Sequence, residues 1–144
     1  MEIKSSLKNE NLSIQHSLIV SKLKDHIKTY QNLERILSEL PKRSILVGGY
    51  IRDLILDRID PLPDIDIIVP NDSVKIGKNI AEKFSGRFLL LDQDRNIVRI
   101  IFSNFTIDIA TQTHELLSDD LKSRDLTINS IGFSFESENL IDPA

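Results

Sequence analysis

Asp64 and Asp66 stand two residues apart in Pro63-Asp64-Ile65-Asp66-Ile67-Ile68-Val69. Alternate residues of a strand share a face at a spacing of roughly 7 Å, so this segment would present two carboxylates side by side. Such a pair repels itself unless a cation sits between its members. Just upstream, Gly48-Gly49-Tyr50-Ile51-Arg52-Asp53 reads as a turn entering a helix. Backbone N–H groups there can face an anion, glycine permits close approach, and Arg52 offers a planar fork to the same anion. Together these residues suggest a site for a metal-bound nucleoside triphosphate. The plainer alternatives are an acidic strand face and an ordinary strand-to-helix turn. The glycines are not the dinucleotide fingerprint, since no third glycine follows at the required distance.

A third carboxylate lies in Phe105-Thr106-Ile107-Asp108-Ile109-Ala110, where Phe105, Ile107 and Ile109 alternate with Asp108. If this strand neighbours 64–69, three carboxylates converge. Two magnesium ions roughly 4 Å apart would then support an in-line displacement at phosphorus. A further cluster is Asp120-Leu121-Lys122-Ser123-Arg124-Asp125-Leu126-Thr127-Ile128-Asn129. Asp120 and Arg124 have i,i+4 spacing, as do Asp125 and Asn129. The cluster is either a salt-bridged helix or a pocket in which Arg124 meets a phosphate or base. His16, His26 and His114 are scattered and lack metal-ligand spacing.

Elements must position these groups. Residues 1–12 are polar and are expected to be mobile. From about 14 to 40 the apolar residues Leu23, Ile27, Tyr30, Leu33, Leu37 and Leu40 fall at helical spacing. They predict one long helix, or two joined near Tyr30, ended by Pro41. A strand over 44–47, a helix over 50–56 and the Asp-bearing strand over 64–69 follow. Asn71 is expected to cap a helix running to Phe84, closed by Gly86. Strands are expected over 87–91, 97–102 and 105–110, short helices over 113–122 and 124–132, and a last strand over 133–135. The close spacing of the strands between 87 and 110 suggests antiparallel neighbours.

The 144 residues fit one domain with a real core, and 40% hydrophobic and 28% charged residues are ordinary for a globular chain. No cysteine is present, so disulfides and thiolate metal sites are excluded. The net charge of −4 argues against a self-sufficient nucleic-acid binder. Apolar runs are short and no signal-type stretch opens the chain. A cytoplasmic location without a membrane partner is the default expectation.

Read in order, Val47-Gly48-Gly49-Tyr50-Ile51-Arg52-Asp53, Asp64-Ile65-Asp66, Ile107-Asp108-Ile109-Ala110-Thr111 and Arg124-Asp125-Leu126-Thr127-Ile128-Asn129 resemble the catalytic head of class II tRNA nucleotidyltransferases (CCA-adding enzymes) and bacterial poly(A) polymerases. These belong to the DNA polymerase beta-like nucleotidyltransferase superfamily. The resemblance implies an α+β fold, a small mixed and mostly antiparallel sheet flanked by helices. It would occupy residues 44–144 after an N-terminal helical extension, 1–43. It implies Asp64 and Asp66 as magnesium ligands and catalytic groups, with Asp108 as the third acidic position. Gly48, Gly49, Arg52 and Asp53 would serve the triphosphate, and Arg124, Asp125 and Asn129 the incoming nucleotide. The implied reaction transfers CMP or AMP from CTP or ATP to the 3′-hydroxyl of tRNA, as CCA, CC or A addition.

Two departures qualify the match. Asp57 stands where the family often has glycine. The chain also stops at Ile141-Asp142-Pro143-Ala144, where the family continues into neck, body and tail regions that select the base and grip tRNA. A truncated head, weakly active or inactive alone, is therefore the leading expectation. The alternative is a degenerate head that binds nucleotide or a partner without catalysis.

Overall fold

In the computed structural model, residues 2–113 and 131–141 are described, without the side chains of residues 2–14. The order is α1 (Glu2–Lys28), α2 (Leu33–Ser38), β1 (Ile45–Val47), α3 (Gly49–Ile55), β2 (Asp64–Val69), α4 (Ser73–Phe84), β3 (Arg87–Asp92), β4 (Ile97–Ile101), β5 (Thr106–Thr111), β6 (Gly132–Ser134) and β7 (Leu140–Ile141). The strands form one sheet in the order β3-β4-β5-β2-β1-β6-β7. The pairing of β2 with β5 is parallel and every other described pairing is antiparallel. This is the α+β, mostly antiparallel sheet anticipated from the sequence. Among the described residues, no helix is long and apolar enough to cross a membrane.

Alternation along the strands sorts their side chains onto two faces. On one face lie Leu46, Ile65, Ile67, Val98, Ile100, Ile107, Ile109 and Phe133, all buried. They share a core with Leu23 and Ile27 of α1, Leu33, Ile36 and Leu37 around α2, Tyr50, Ile51 and Leu54 of α3, and Ile80 and Ala81 of α4. Burying each such side chain contributes about 1.5–3 kcal/mol, so this face fixes the positions of the strands. The other face carries a smaller apolar cluster, Ile45, Val47 and Ile68, and, at residues of the same parity, the aspartates.

Several expectations shift on inspection. The backbone is helical from Glu2 onward, so the polar segment that opens the chain is part of α1. The predicted 14–40 helix is two helices joined near Tyr30. Asn32 takes the left-handed conformation, φ 69°, and ends any continuous ladder. Asn71 does not cap α4. That helix starts at Ser73, whose N–H donates to Thr111 Oγ1 at 3.2 Å, while Thr111 Oγ1 donates to Ser73 Oγ at 2.8 Å. A hydroxyl from β5 thus does the work expected of a local cap. At the other end Ser85, φ 58°, closes the helix, and the Gly86 N–H donates to Ala81 O at 2.9 Å. The hairpin β3–β4 has a register shift between Leu90 and Asp92. Residues 131 and 132 are not helical and Gly132 opens β6. The rest of the two helices expected between 113 and 132 lies, apart from a non-helical Thr113, outside the described residues.

Helix α1 docks through its last turns. Leu23 and Ile27 are buried, and Lys22 pairs with Asp57 just past α3. His26 Nδ1 meets the hydroxyl of Tyr50. Burial, then the charge of Lys22, lowers the His26 pKa; burial, then Tyr30, raises that of Tyr50. Both shifts favour a neutral imidazole accepting a hydrogen bond from the protonated Tyr50 hydroxyl.

Two predictions follow from this packing. Ile107 is fully buried, so Ile107→Ala should lower the unfolding free energy by about 2–5 kcal/mol in denaturant titration, while Leu62→Ala, at a site 62% exposed, should change it by less than about 0.5 kcal/mol. A histidine whose folded pKa is depressed stabilises the fold above its unfolded value of about 6.5 and loses that contribution as pH falls below it. Stability measured from pH 7.5 down to 5.5 should therefore fall for the wild type and stay flatter for His26→Gln.

Candidate active site

β2 carries Asp64 and Asp66 on the face opposite Ile65 and Ile67, each of which is 1% exposed. The apolar pair anchors the strand and leaves the carboxylates facing away from the main core. In the parallel register Asp66 lies beside Asp108, and Asp64 beside Thr106. Adjacent strands run about 4.8 Å apart, so Asp66 and Asp108 are immediate neighbours. The sequence condition for convergence, that the strand of Asp108 adjoin that of Asp66, is met.

β1 runs antiparallel to β2 with Val47 opposite Asp66, so the Gly48-Gly49 turn emerges next to the Asp66 carboxylate. Gly48 has φ 85° and ψ −158°, a region essentially confined to glycine. A Cβ there would lie 2.5 Å from Asp66 Oδ2. Both the backbone conformation and the approach of the carboxylate require glycine at this position. A Cβ on Gly49 would lie 2.8 Å from Arg52 Nη2, so the guanidinium folds back over the turn. Arg52 Nε also donates to Asp53 Oδ1 at 3.1 Å. A cleft of about 240 Å³ opens here, lined by Gly49, Tyr50, Arg52, Asp53, Ile59, Asp60, Pro63, Asp64 and Asp66. Four carboxylates and one guanidinium in so small a space make a strongly negative field.

One residue at the site escaped the sequence reading. Arg99 of β4 lies opposite Asp108 and holds it by a fork, Nε to Oδ1 at 2.8 Å and Nη2 to Oδ2 at 2.9 Å. Hydrogen bonding to Asp108 and its charge, followed by the charges of Asp64 and Asp66, raise the Arg99 pKa. A single arginine inside the apolar run Ile97-Val98-Arg99-Ile100-Ile101 was the available signal. Its partner could not be read without the register of the hairpin. Tyr50, noted only as part of the turn, also lines the cleft.

Asp57, the departure from the family's glycine, has φ 52°. The backbone there keeps the left-handed form that glycine favours, which aspartate tolerates at modest cost. Arg124, Asp125 and Asn129 lie outside the described residues.

The donor set suits a hard divalent cation. Asp64 and Asp66 offer oxygen ligands on one face, beside a turn able to receive phosphate. Magnesium ordinarily takes one or two carboxylates and completes its shell with water and substrate phosphate. Among the described residues, no three acidic or imidazole groups close on one point as a metal cage. The two-carboxylate arrangement is thus the one available. A larger hollow of about 370 Å³ lies among Lys24, Ile27, Lys28, Glu34, Leu37, Ser38, Phe133, Phe135 and Glu138. It contains none of these aspartates.

Gly48→Ala should destabilise the protein by about 1–3 kcal/mol and displace the Asp66 carboxylate. Urea titration checks the first effect and Mn²⁺ binding the second. A variant as stable as wild type would mean that the turn is not constrained in this way.

Residues 44–116 match the model of the poly(A) polymerase head domain, just over half of the chain. The CC-adding tRNA nucleotidyltransferase of Synechocystis sp. is 38% identical over 107 residues, covering 74% of this chain and 26% of that protein. The CC-adding tRNA nucleotidyltransferase of Geobacter sulfurreducens is 34% identical over 99 residues, 67% of this chain and 23% of that protein. Among solved structures, a tRNA nucleotidyltransferase complexed with a primer tRNA and an incoming ATP analogue shares 26% identity over 69% of this chain, with a TM-score of 0.58, and 31% of that chain is covered. A CCA-adding enzyme with CTP shares 29% identity over 69% of this chain, with a TM-score of 0.58 and 25% of that chain covered. The present chain thus spans about a quarter of the curated relatives it matches. On the family match, and with the glycine turn and paired aspartates of its sheet in view, the chain belongs to the poly(A) polymerase head domain family.

Proposed function

We propose that this chain is the bond-making head of a magnesium-dependent tRNA nucleotidyltransferase, which transfers CMP or AMP from CTP or ATP to the 3′-hydroxyl of tRNA. The observation that carries this reading is the placement of Asp64 and Asp66 on one strand face, with Asp66 directly over the Gly48-Gly49 turn. The family membership and the relatives' activities support it.

In this reading Asp64 and Asp66 hold magnesium. Held by Asp64 and Asp66, such an ion would supply positive charge against that developing at the α-phosphate and would make the attacking hydroxyl more acidic. Gly48 and Gly49 bring main chain close to the triphosphate, and Arg52 supplies a positive fork beside that turn. Asp53 keeps Arg52 oriented through its hydrogen bond to Nε. Tyr50, whose raised pKa keeps it protonated, can form a neutral wall of the cleft. Arg124, Asp125 and Asn129 are proposed to meet the incoming nucleotide, as the family resemblance implies. The choice between CTP and ATP is assigned to parts of such enzymes outside these 144 residues, as the family resemblance implies.

The test is incorporation of labelled CMP and AMP into tRNA lacking its 3′ end. The chain should incorporate slowly, in a magnesium-dependent manner and with little preference between CTP and ATP. Asp64→Asn and Asp66→Asn should each reduce the rate on the order of 100-fold or more. An identical magnesium response in wild type and Asp66→Asn would end the catalytic reading. Ordered CCA synthesis by the chain alone would instead place base selection inside it.

A further inference from the structure

Three carboxylates occupy neighbouring strands, and one of them is already engaged. Across β4, β5 and β2 the sheet presents a row: Arg99, Asp108, Asp66. Arg99 bonds both Asp108 oxygens, at 2.8 and 2.9 Å, with Asp108 only 18% and Arg99 37% exposed. A forked guanidinium bonds in the plane of the carboxylate, where a chelated metal would otherwise lie. It also sets a positive charge within reach of any ion that bridged Asp66 and Asp108, and ions of like sign repel at such range. Without Arg99, three carboxylates would face one another with no protein cation among the described contacts of Asp108.

We propose that Arg99 is a built-in counter-cation that keeps Asp108 out of metal coordination, so that the nucleotide-free site takes a single divalent ion on Asp64 and Asp66. This rests on the reading of that pair as metal ligands. Arg99 is a positioning residue: it fixes the third carboxylate and limits the site's charge, and a second ion enters only with the phosphates of a nucleotide. The occupancy of the empty site is thereby set by a side chain on the β3–β4 hairpin, outside the glycine turn and the aspartate strand.

The experiment is Mn²⁺ titration of the 144-residue chain without nucleotide, reading free Mn²⁺ by electron paramagnetic resonance. The wild type should bind one ion, and Asp66→Asn should lose it. Asp108→Asn should weaken binding by no more than about tenfold, through lost charge alone, well short of the loss in Asp66→Asn, because Asp108 is not a ligand. Arg99→Gln should bind on the order of tenfold more tightly or take up a second ion. That gain should vanish in the double variant Arg99→Gln/Asp108→Asn. Arg99→Lys, which keeps charge, should stay near wild type in stoichiometry. The proposal is overturned if Asp108→Asn weakens binding as much as Asp66→Asn, or if folded Arg99→Gln binds like wild type. Should Arg99→Gln fail to fold by circular dichroism, the Asp108→Asn arm decides alone. If Asp66→Asn binds like the wild type, the metal-ligand reading of the pair falls, and that result is separate from an Arg99 failure.

Discussion

Like charges held on adjacent strands are the constraint around which this sheet is organised. Two carboxylates about 4 Å apart repel by roughly 1 kcal/mol in water and about 4 kcal/mol at the effective dielectric of a protein surface. Ile65 and Ile67 on one strand, with Ile107 and Ile109 on the next, are each at most 1% exposed and contribute about 1.5–3 kcal/mol apiece. The apolar face therefore outweighs the repulsion of the acidic face and holds the strands together. What remains of the repulsion is offset locally by the Arg99 fork on Asp108. The site is electrostatically strained by design of the sheet, and the hydrophobic layer behind it makes that tolerable.

The placement of the carboxylates was legible in the sequence wherever it rested on local periodicity. Asp64 and Asp66 share a face because strands alternate, and Asp108 opposes Ile107 and Ile109 for the same reason. The two glycines announced a turn, and the structure adds why Gly48 must be one. What could not be read was set by contacts between distant segments. Arg99 finds Asp108 only through the register of β4 on β5, which no local periodicity specifies. Asn71 looked like a helix cap on local grounds, yet Thr111, 38 positions from Ser73, satisfies that end of α4. His26 looked isolated because its partner Tyr50 lies 24 positions away.

The N-terminal helices bear on the same site. α3 carries Arg52 and begins at the glycine turn. It lies against β1 and β2 on one side and is met by α1 on the other, through His26 to Tyr50 and Lys22 to Asp57. Leu23, Ile27, Leu33 and Ile36 belong to one cluster with the sheet residues beneath α3. The segment before the family match is thus a brace on the helix that positions Arg52.

The parallel pairing of β2 with β5 has a consequence for folding order. Parallel neighbours cannot be joined by a tight turn, so α4 and the β3–β4 hairpin fill the connection that separates Asp66 from Asp108 along the chain. Contacts of such separation form slowly, because loop closure costs entropy before any contact repays it. Local pieces such as α4 or the hairpin can assemble early without creating any carboxylate cluster. The pairing of Asp66 with Asp108, and with it the Arg99 fork, comes into being only with the central strand pair.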